Sequence, residues 1–455
     1  MPAETTNLSI SDLRSAINGQ AIDPTDAAYD EARKVFRGAI DRRPAVIVRA
    51  AGAADVAHVV SLARETGLEL AVRSGGHSPY GTSDGGILLD LSAMRALEID
   101  VEDRTAWAET GMTAGEYTAA VGAHGLATGF GDTGSVGIGG LTLGGGVGFL
   151  VRKHGLTIDN LLAAEVVTGD GQLVRADDEQ HPDLFWAIRG GGGNFGVATR
   201  FKFRLHEVDS IVGGMLLLPA TPDVIASVVA EAEAAPEELS AIVNIAVAPP
   251  VPFIPAEHHG KLIVAVLLAY AGPAEAGERA VAPFRAVATP LVDGIQPMSY
   301  PALFRGPERP KPVAEASRTL FIDTVDRDTA ATILDHLQAS TAPVAVTQFR
   351  VLGGAVARVP SDATAFAHRQ QRIMAVVSTA FERVEDTQVH NAWVGGLAKA
   401  LNQGQTGAYV NFEDDQERIR DAYPGPTWDR LTEIKARYDP TNVLHLNLNI
   451  PPATS

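Results

Sequence analysis

The sequence predicts an α+β protein built from two regions in which strands and helices alternate. Up to residue 208, short apolar strands alternate with helices and with three glycine-rich loops. After Asp209 the glycine clusters become rare and the elements are more widely spaced, which is typical of a sheet covered by helices. Motif-like sequence returns near residue 405. We therefore predict a cofactor-binding domain at 1–208, a substrate domain with an antiparallel sheet at 209–404, and a C-terminal segment at 405–455 that returns to the first domain.

The elements of the first region follow from hydrophobic spacing. Ala53–Glu65 places Val56, Val59 and Val60 on one face of a helix. Leu162–Thr168 and Gln172–Arg175 form a predicted hairpin across a Gly-Asp-Gly turn. The other predicted strands are Ala45–Ala50, Leu68–Arg73, Gly86–Leu91, Ala96–Asp100 and Val197–Leu205, and the other predicted helices are Ala114–His124 and Asp183–Ile188. Two proline-rich loops are predicted at Ala248–Pro255 and Gly306–Pro312.

Composition excludes several classes of function. The chain of 455 residues has a net charge of −18, so we expect neither nucleic acid nor an anionic membrane as a partner. It has no cysteine, which excludes disulfides, thiolate metal sites and cysteine nucleophiles, and we predict no metal site. No run approaches the ~18 apolar residues of a membrane helix. The polar stretch Met1–Asp12 lacks a signal core, so we expect a cytoplasmic protein.

The first glycine-rich loop, Arg73–Gly81, follows a predicted strand and contains Ser74, Gly75, Gly76, His77 and Ser78. Paired glycines can present backbone N–H groups to an anion because no Cβ blocks the approach. A histidine on such a loop lies beside whatever is bound there. The alternative interpretation is a tight turn with a surface histidine.

The second loop, Gly131–Gly148, is the most unusual segment of the chain. Each glycine costs roughly 0.5–1 kcal/mol relative to alanine inside regular structure, so a ligand lying against the main chain is the simplest explanation. The alternative is a flexible linker, but Val136, Ile138 and Leu141 indicate a buried segment. The pattern is neither a Walker loop nor a GxGxxG motif that opens a helix.

A third loop, Arg189–Gly196, again offers unhindered amides, and Tyr409 and Asn411 follow later on a predicted strand, where residues two apart share one face. Three glycine-rich loops within about 120 residues favour an extended anionic cofactor, and a dinucleotide would fit. A nicotinamide-dependent Rossmann domain is disfavoured, because the first strand is not followed by GxGxxG with an acidic residue about 20 positions later.

Taken together, the motifs Arg73–His77, Gly137–Gly148, Gly190–Thr199 and Asp439–Pro452 resemble the berberine-bridge-enzyme-like oxidases of the vanillyl-alcohol oxidase / p-cresol methylhydroxylase (PCMH) superfamily. The resemblance covers 43–208 and 405–452 and is weak between them. It implies a bipartite PCMH-type FAD-binding domain, a separate α+β substrate domain over the isoalloxazine ring, and FAD as the cofactor.

The resemblance also implies roles for individual residues. His77 matches the histidine that is joined covalently to the flavin, and Thr133 matches the position of a second, cysteinyl link in some relatives, so a single link is implied here. Val136 matches a position where oxidases tend to carry valine and dehydrogenases leucine, which favours O₂ as electron acceptor. The remaining implied cofactor contacts are Arg73, Ser74, Gly75, Gly76, Ser78, Gly137, Gly139, Gly140, Gly144, Gly145, Gly148, Gly196, Val197, Asn411 and Asn447.

The implied reaction is hydride transfer from a small organic alcohol or amine to FAD, with O₂ then reduced to H₂O₂. Relatives place a polar base after a His-Arg pair, but the strand after His368-Arg369 is apolar here, and Tyr409 is the next candidate. Alternatively, no base is needed, as with an amine substrate that binds in its neutral form. Two alternatives remain: a flavin dehydrogenase with another acceptor, and a flavin-binding protein that has lost catalysis. Candidate cavity residues are Tyr80, Phe130, Phe321, Phe349 and Tyr409. The sequence leaves the substrate and the choice between monomer and homodimer open.

Overall fold

The computed structural model describes residues 8–304 and 313–454. The predicted loop Gly306–Pro312 lies outside this range. The strands are β1 (Gln20–Ile22), β2 (Val46–Arg49), β3 (Leu70–Arg73), β4 (Ile87–Asp90), β5 (Leu97–Asp100), β6 (Thr105–Glu109), β7 (Leu126–Ala127), β8 (Leu161–Val167), β9 (Leu173–Ala176), β10 (Val197–Arg204), β11 (His206–Glu207), β12 (Ile211–Pro219), β13 (Leu239–Val247), β14 (Leu262–Tyr270), β15 (Val292–Asp293), β16 (Gln296–Met298), β17 (Ala314–Ile322), β18 (Val344–Val351) and β19 (Ile373–Phe381).

The helices alternate with these strands. They are α1 (Ile10–Ala16), α2 (Tyr29–Ala32), α3 (Ala53–Thr66), α4 (Ala114–Gly122), α5 (Ile138–Leu143), α6 (Val151–His154), α7 (Pro182–Ile188), α8 (Pro222–Ala234), α9 (Ala274–Ala286), α10 (Arg327–Gln338), α11 (Ala355–Arg358), α12 (Thr387–Leu401), α13 (Ile419–Ala422) and α14 (Pro426–Tyr438). Among the described residues, no helix has both the length and the apolarity needed to cross a bilayer.

The first sheet has the order β1-β2-β4-β3, with β2, β4 and β3 parallel. Helix α3 crosses from β2 to β3 and buries Val56, Val59 and Val60 completely, as their spacing predicts. Gly67 ends the helix in the left-handed conformation. Because β3 and β4 run parallel, the loop that leaves β3 at Ser74 begins at the carboxyl edge of this sheet.

A second sheet, with the order β5-β6-β10-β8-β9, is antiparallel throughout. It contains the predicted hairpin as β8 and β9. Strand β6 was not predicted. Its alternating TAWAE pattern buries Ala106 and Ala108 against the apolar core of this sheet.

The third sheet, called the covering sheet below, comprises β12 to β19 in the order β15-β12-β14-β13-β18-β19-β17, with β16 beside β12. Its pairings are antiparallel, as predicted. One face packs on α8, α9, α10 and α12 and buries residues such as Phe349 and Val351. The α+β fold class is thereby confirmed. The segment boundaries at 208/209 and 404/405 stay predictions.

A stacked histidine pair gives the fold a pH dependence. His154 and His206 have ring centroids 3.8 Å apart. Burial, together with nearby positive charge, lowers the pKa of His154 to about 3 and that of His206 to about 4. In the unfolded chain both groups titrate near 6.5. At pH values between the folded-state and unfolded-state pKa values, only the unfolded state binds the protons. The contribution of the pair to the free energy of unfolding is therefore full above pH 6.5 and falls as the pH drops towards 4.

We therefore expect the free energy of unfolding to fall by roughly 1 kcal/mol per pH unit for each histidine between about pH 6 and pH 4. Urea denaturation at a series of pH values measures this slope. The His206→Gln variant should show a shallower slope than the wild type, and identical slopes would contradict the assignment to this pair.

Candidate active site

A cavity of about 850 Å³ lies between the glycine-rich loops and the open face of the covering sheet. Most residues that the sequence singles out for cofactor contact, together with the catalytic candidate Tyr409, line it. They are Arg73, Ser74, Gly75, Gly76, His77, Ser78, Thr133, Val136, Gly137, Gly139, Gly140, Gly196, Val197, Tyr409, Asn411 and Asn447.

The first two glycine-rich loops contact each other through their backbones. A Cβ on Gly75 would collide with the backbone of Gly137, so glycine is required for the approach. Ser74 joins the same contact, because its Oγ donates to the carbonyl of Thr110 (2.6 Å) and accepts the N–H of Gly139 (3.3 Å). The cavity floor is therefore a rigid double loop rather than a linker.

Arg73 has a structural part in this arrangement. Its guanidinium forms an ion pair with Asp90 (3.0 Å) and donates to the carbonyls of Ala32 (2.6 Å) and Lys34 (2.9 Å). The guanidinium is thus committed to protein acceptors, and Arg73 holds the loop in place.

His77 sits on the cavity wall between two neighbours. Its ring stacks on that of Phe36, with centroids 4.3 Å apart and planes 19° from parallel. Its Nε2 lies 3.2 Å from the Oγ of Ser135, on the second glycine-rich loop. These contacts from both sides fix the orientation of the imidazole.

Tyr409 and Asn411 lie together, but the predicted strand there is wrong. Residues Val410–Phe412 form a 3₁₀ turn. The Asn411 amide donates to the Tyr409 hydroxyl (2.9 Å) and to the carbonyl of Leu141 (3.0 Å), and the N–H of Gly146 also donates to that hydroxyl (2.8 Å). The turn therefore seats both side chains against the second glycine-rich loop.

Burial raises the pKa of Tyr409 above its ordinary value, although the N–H of Gly146, the Asn411 amide and the charge of Arg350 oppose the shift. The phenol consequently keeps its proton at neutral pH. Its oxygen accepts two N–H groups, and its own O–H is available as a donor. This geometry suits a hydrogen-bond donor better than the base suggested by the resemblance.

Three predicted cofactor contacts, Gly144, Gly145 and Gly148, are not among the residues that line the cavity. Side chains at Gly144 and Gly148 would collide with Asn411 and with the carbonyl of Phe130, respectively. Gly145 has φ = +132° and lies beside Tyr409. Protein packing is therefore sufficient to require glycine at these positions.

The His-Arg pair that precedes β19 is structural. Arg369 is fully buried and forms a two-pronged ion pair with Asp159 (2.8 and 2.9 Å). His368 stacks on Phe321, and burial lowers its pKa to about 4. Beyond them, Val376 lines the cavity, so the wall at this point is apolar, as the sequence indicates.

The aromatic predictions were right only in part. Tyr80 and Tyr409 line the cavity. Phe130, Phe321 and Phe349 do not, because they are buried in the hydrophobic cores.

Sequence reasoning missed several cavity residues. Phe36 and Arg37 reach the wall from the segment after α2, and Asn244, Gln348 and Arg350 reach it from the covering sheet. A signal existed for the last two, since Gln348 and Arg350 lie two residues apart in the mainly apolar strand VAVTQFRV and so share one face. The position of the strand beside the cavity, however, follows only from the folded topology.

The cavity fits a bound dinucleotide in two respects. A Cβ on Gly140 would meet empty space inside it, so the backbone there is open to a ligand. The Oδ1 of Asn447 is buried and has no hydrogen-bond partner among the described residues, although Asn447 lines the cavity. A buried amide of this kind calls for a polar ligand group.

Two glycine-rich loops in backbone contact and the covering sheet border a cavity of about 850 Å³, an arrangement that suits a protein that binds an extended cofactor. Residues 44–177 match the family described as FAD binding domain, and residues 408–451 match the family described as Berberine and berberine like. The chain belongs to the berberine-bridge-enzyme-like FAD-linked oxidoreductases of the PCMH superfamily.

Individual relatives cover nearly the whole chain. An uncharacterized FAD-linked oxidoreductase, YvdP of Bacillus subtilis, is 31% identical, and the match covers 96% of this chain and 99% of the relative. The (R)-6-hydroxynicotine oxidase of Paenarthrobacter nicotinovorans is 29% identical, over 96% and 98%. The crystal structure of 6-hydroxy-D-nicotine oxidase from Arthrobacter nicotinovorans superposes with a TM-score of 0.85 at 27% identity, over 96% and 98%.

Proposed function

We propose that this FAD-linked oxidoreductase is an oxidase that holds FAD through a single covalent bond to His77. It would transfer a hydride from a small organic alcohol or amine to the flavin and pass the electrons to O₂, which yields H₂O₂. The observation that carries the proposal is the placement of His77, whose imidazole lines the cavity and is held between Phe36 and Ser135.

We further propose that residues 1–208 and 405–455 bind the cofactor and that 209–404 covers it. A second link through cysteine is impossible, because the chain has no cysteine, and Thr133 stands at the position that the resemblance assigns to that link. The other proposed contacts are Ser74, Gly75, Gly76, Ser78, Val136, Gly137, Gly139, Gly140, Gly196, Val197, Asn411 and Asn447.

FAD, when bound, supplies the hydride-accepting chemistry. The residues of the chain orient the substrate and keep water out. Tyr409 would donate a hydrogen bond from its O–H to the substrate. The N–H of Gly146 and the amide of Asn411 donate to the Tyr409 oxygen and hold it in place. Val346 and Val376 add an apolar wall that disfavours water. The name of the relative (R)-6-hydroxynicotine oxidase supports a small-molecule substrate and O₂ as acceptor.

The Tyr409→Phe variant tests the part assigned to the phenol. We expect flavin reduction by substrate, measured by anaerobic stopped-flow absorbance, to slow by roughly 10²-fold, because the hydrogen bond that positions the substrate for hydride transfer is lost. FAD content should be unchanged. A wild-type rate of reduction would remove Tyr409 from the mechanism.

Peroxide release tests the oxidase proposal directly. Purified protein is supplied with a panel of alcohols and amines, and H₂O₂ is measured beside O₂ consumption. Equal amounts of both support an oxidase. Reduction of the flavin by substrate without H₂O₂, but with turnover on an added quinone, would identify a dehydrogenase. No reduction by any member of the panel would favour a protein that has lost catalysis.

A further inference from the structure

The face of the covering sheet that lines the cavity changes in polarity and exposure along strand β18. Side chains two apart on a strand share one face, and Val344, Val346, Gln348 and Arg350 of β18 all line the cavity. Val344 is 50% exposed, whereas Arg350 is only 3% exposed. The face thus changes from apolar and open at the start of the strand to polar and buried at its end.

The side chains at the buried end of β18 form a continuous hydrogen-bond network. Gln348 lies directly opposite Asn244 on β13, and its amide donates to the Asn244 Oδ1 (2.8 Å). Arg350 donates from Nε to the Gln348 Oε1 (2.9 Å) and from Nη1 to the carbonyl of Val147 (2.8 Å). Its Nη2 donates to Asp132 (2.9 Å). This hydrogen-bond network therefore links the covering sheet to the second glycine-rich loop.

This polar end lies beside Tyr409. The Tyr409 hydroxyl accepts the N–H of Gly146, and Arg350 donates to the carbonyl of the next residue, Val147. Both Tyr409 and Arg350 also contact the ring of Phe412. A polar group bound by Gln348 and Arg350 would thus be adjacent to the phenol assigned to the reaction.

The buried end of β18 contains an ion pair between Arg350 and Asp132. Asp132 is about as buried as Arg350, and each neutralises the other. A substrate carboxylate would lose its hydration and would have to compete with Asp132 for the Arg350 guanidinium. A substrate ammonium group would also lose its hydration and would be repelled by the positive charge of that guanidinium. A neutral hydroxyl, amide or ring nitrogen exchanges hydrogen bonds with water for hydrogen bonds with the protein. It avoids both the loss of charge hydration and the unfavourable interaction with the ion pair.

We infer that Gln348 and Arg350 form the specificity-determining subsite, and that it selects neutral molecules whose polar end enters first while an apolar remainder lies along Val346 and Val344. This inference rests on the proposed function, since it names the substrate class of the same cavity. Gln348 contributes an amide that both donates and accepts. Arg350 holds that amide in place.

Three probes of nearly identical shape test the inference: benzamide, which is neutral, benzamidine, which is a cation at pH 7, and benzoate, an anion. Isothermal titration calorimetry of the holoenzyme gives their dissociation constants. We expect benzamide to bind at least about 10-fold more tightly than either ion, the size of effect that an unpaired buried polar group produces.

Two variants assign the preference to Gln348. Gln348→Leu should weaken benzamide about 10-fold, and Gln348→Glu should shift the preference towards benzamidine. Gln370→Leu makes the same substitution as the first variant at an exposed glutamine and should change nothing. Tightest binding of benzoate, equal affinities for the three probes, no measurable binding, or unchanged affinities in both Gln348 variants would overturn the inference.

Failure of the proposed function is distinguishable from failure of this inference. Calorimetry detects binding without using the flavin, while flavin content and H₂O₂ release are measured separately on the same sample. A protein that prefers benzamide but produces no H₂O₂ supports the subsite and contradicts the oxidase. One that produces H₂O₂ but shows no preference contradicts the subsite alone.

Discussion

Replacing His77 with alanine is expected to abolish covalent flavin attachment while leaving a folded protein that still binds FAD. The imidazole is the group proposed to form the bond, and its contacts with Phe36 and Ser135 are a ring stack and one side-chain hydrogen bond on the cavity wall. Acid treatment should release all FAD from the variant. The measurement is flavin absorbance in the pellet and supernatant after acid precipitation.

His124→Ala serves as the control, because His124 is an exposed histidine away from the cavity. This variant should retain its flavin as the wild type does. Covalent flavin in the His77→Ala protein would show that another residue makes the link. An unfolded His77→Ala protein, shown by circular dichroism, would mean that the ring stack on Phe36 is structural.

The Lys435→Met variant is expected to lose about 3–5 kcal/mol of unfolding free energy. Lys435 and Asp439 are both fully buried, with Nζ 2.7 Å from the carboxylate. The ammonium also donates to the carbonyls of Asn194 and Leu444. Removal of the lysine leaves a buried carboxylate without its cation, although the N–H groups of Val443 and Leu444 still donate to it. Urea denaturation at pH 7 measures the loss.

Arg437→Met is the matched control on the same helix. Arg437 forms an ion pair with Asp183 but is 63% exposed, and such pairs contribute at most about 1 kcal/mol. We also expect Lys435→Met to lower the fraction of protein that carries FAD, because Leu444, Leu446 and Asn447 line the cavity just beyond this pair. Equal destabilisation by the two substitutions would contradict the importance assigned to the buried lysine.

The first domain was predictable because its signals are local. The apolar spacing of α3 and the turn residues of the β8–β9 hairpin specify these elements without reference to the rest of the chain. Strand β6 was missed, since five residues with alternating burial give a weak signal. Helix α5 was also missed: glycine-rich sequence has a low helix propensity, and packing against the neighbouring loops forms the helix.

The site was harder to predict, because a sequence does not distinguish two uses of glycine. Gly140 is open to the cavity, whereas Gly148 fits against the carbonyl of Phe130, yet both belong to one run. Tyr409 and Asn411 were paired correctly for the wrong reason, since a 3₁₀ turn and a strand both bring them together here. Gln348 meets Asn244 across about 100 residues of chain, and only the sheet topology reveals that pairing.

The central claim is that FAD is bound covalently at His77, and the most direct test uses the wild-type protein. It is precipitated with acid and washed, flavin is measured in the pellet, and the tryptic peptide that contains His77 is weighed by mass spectrometry. We predict a yellow pellet and a peptide heavier by one FAD. A colourless pellet with FAD in the supernatant would contradict the covalent link, and an absence of flavin from both fractions, after expression with excess FAD, would contradict the whole assignment.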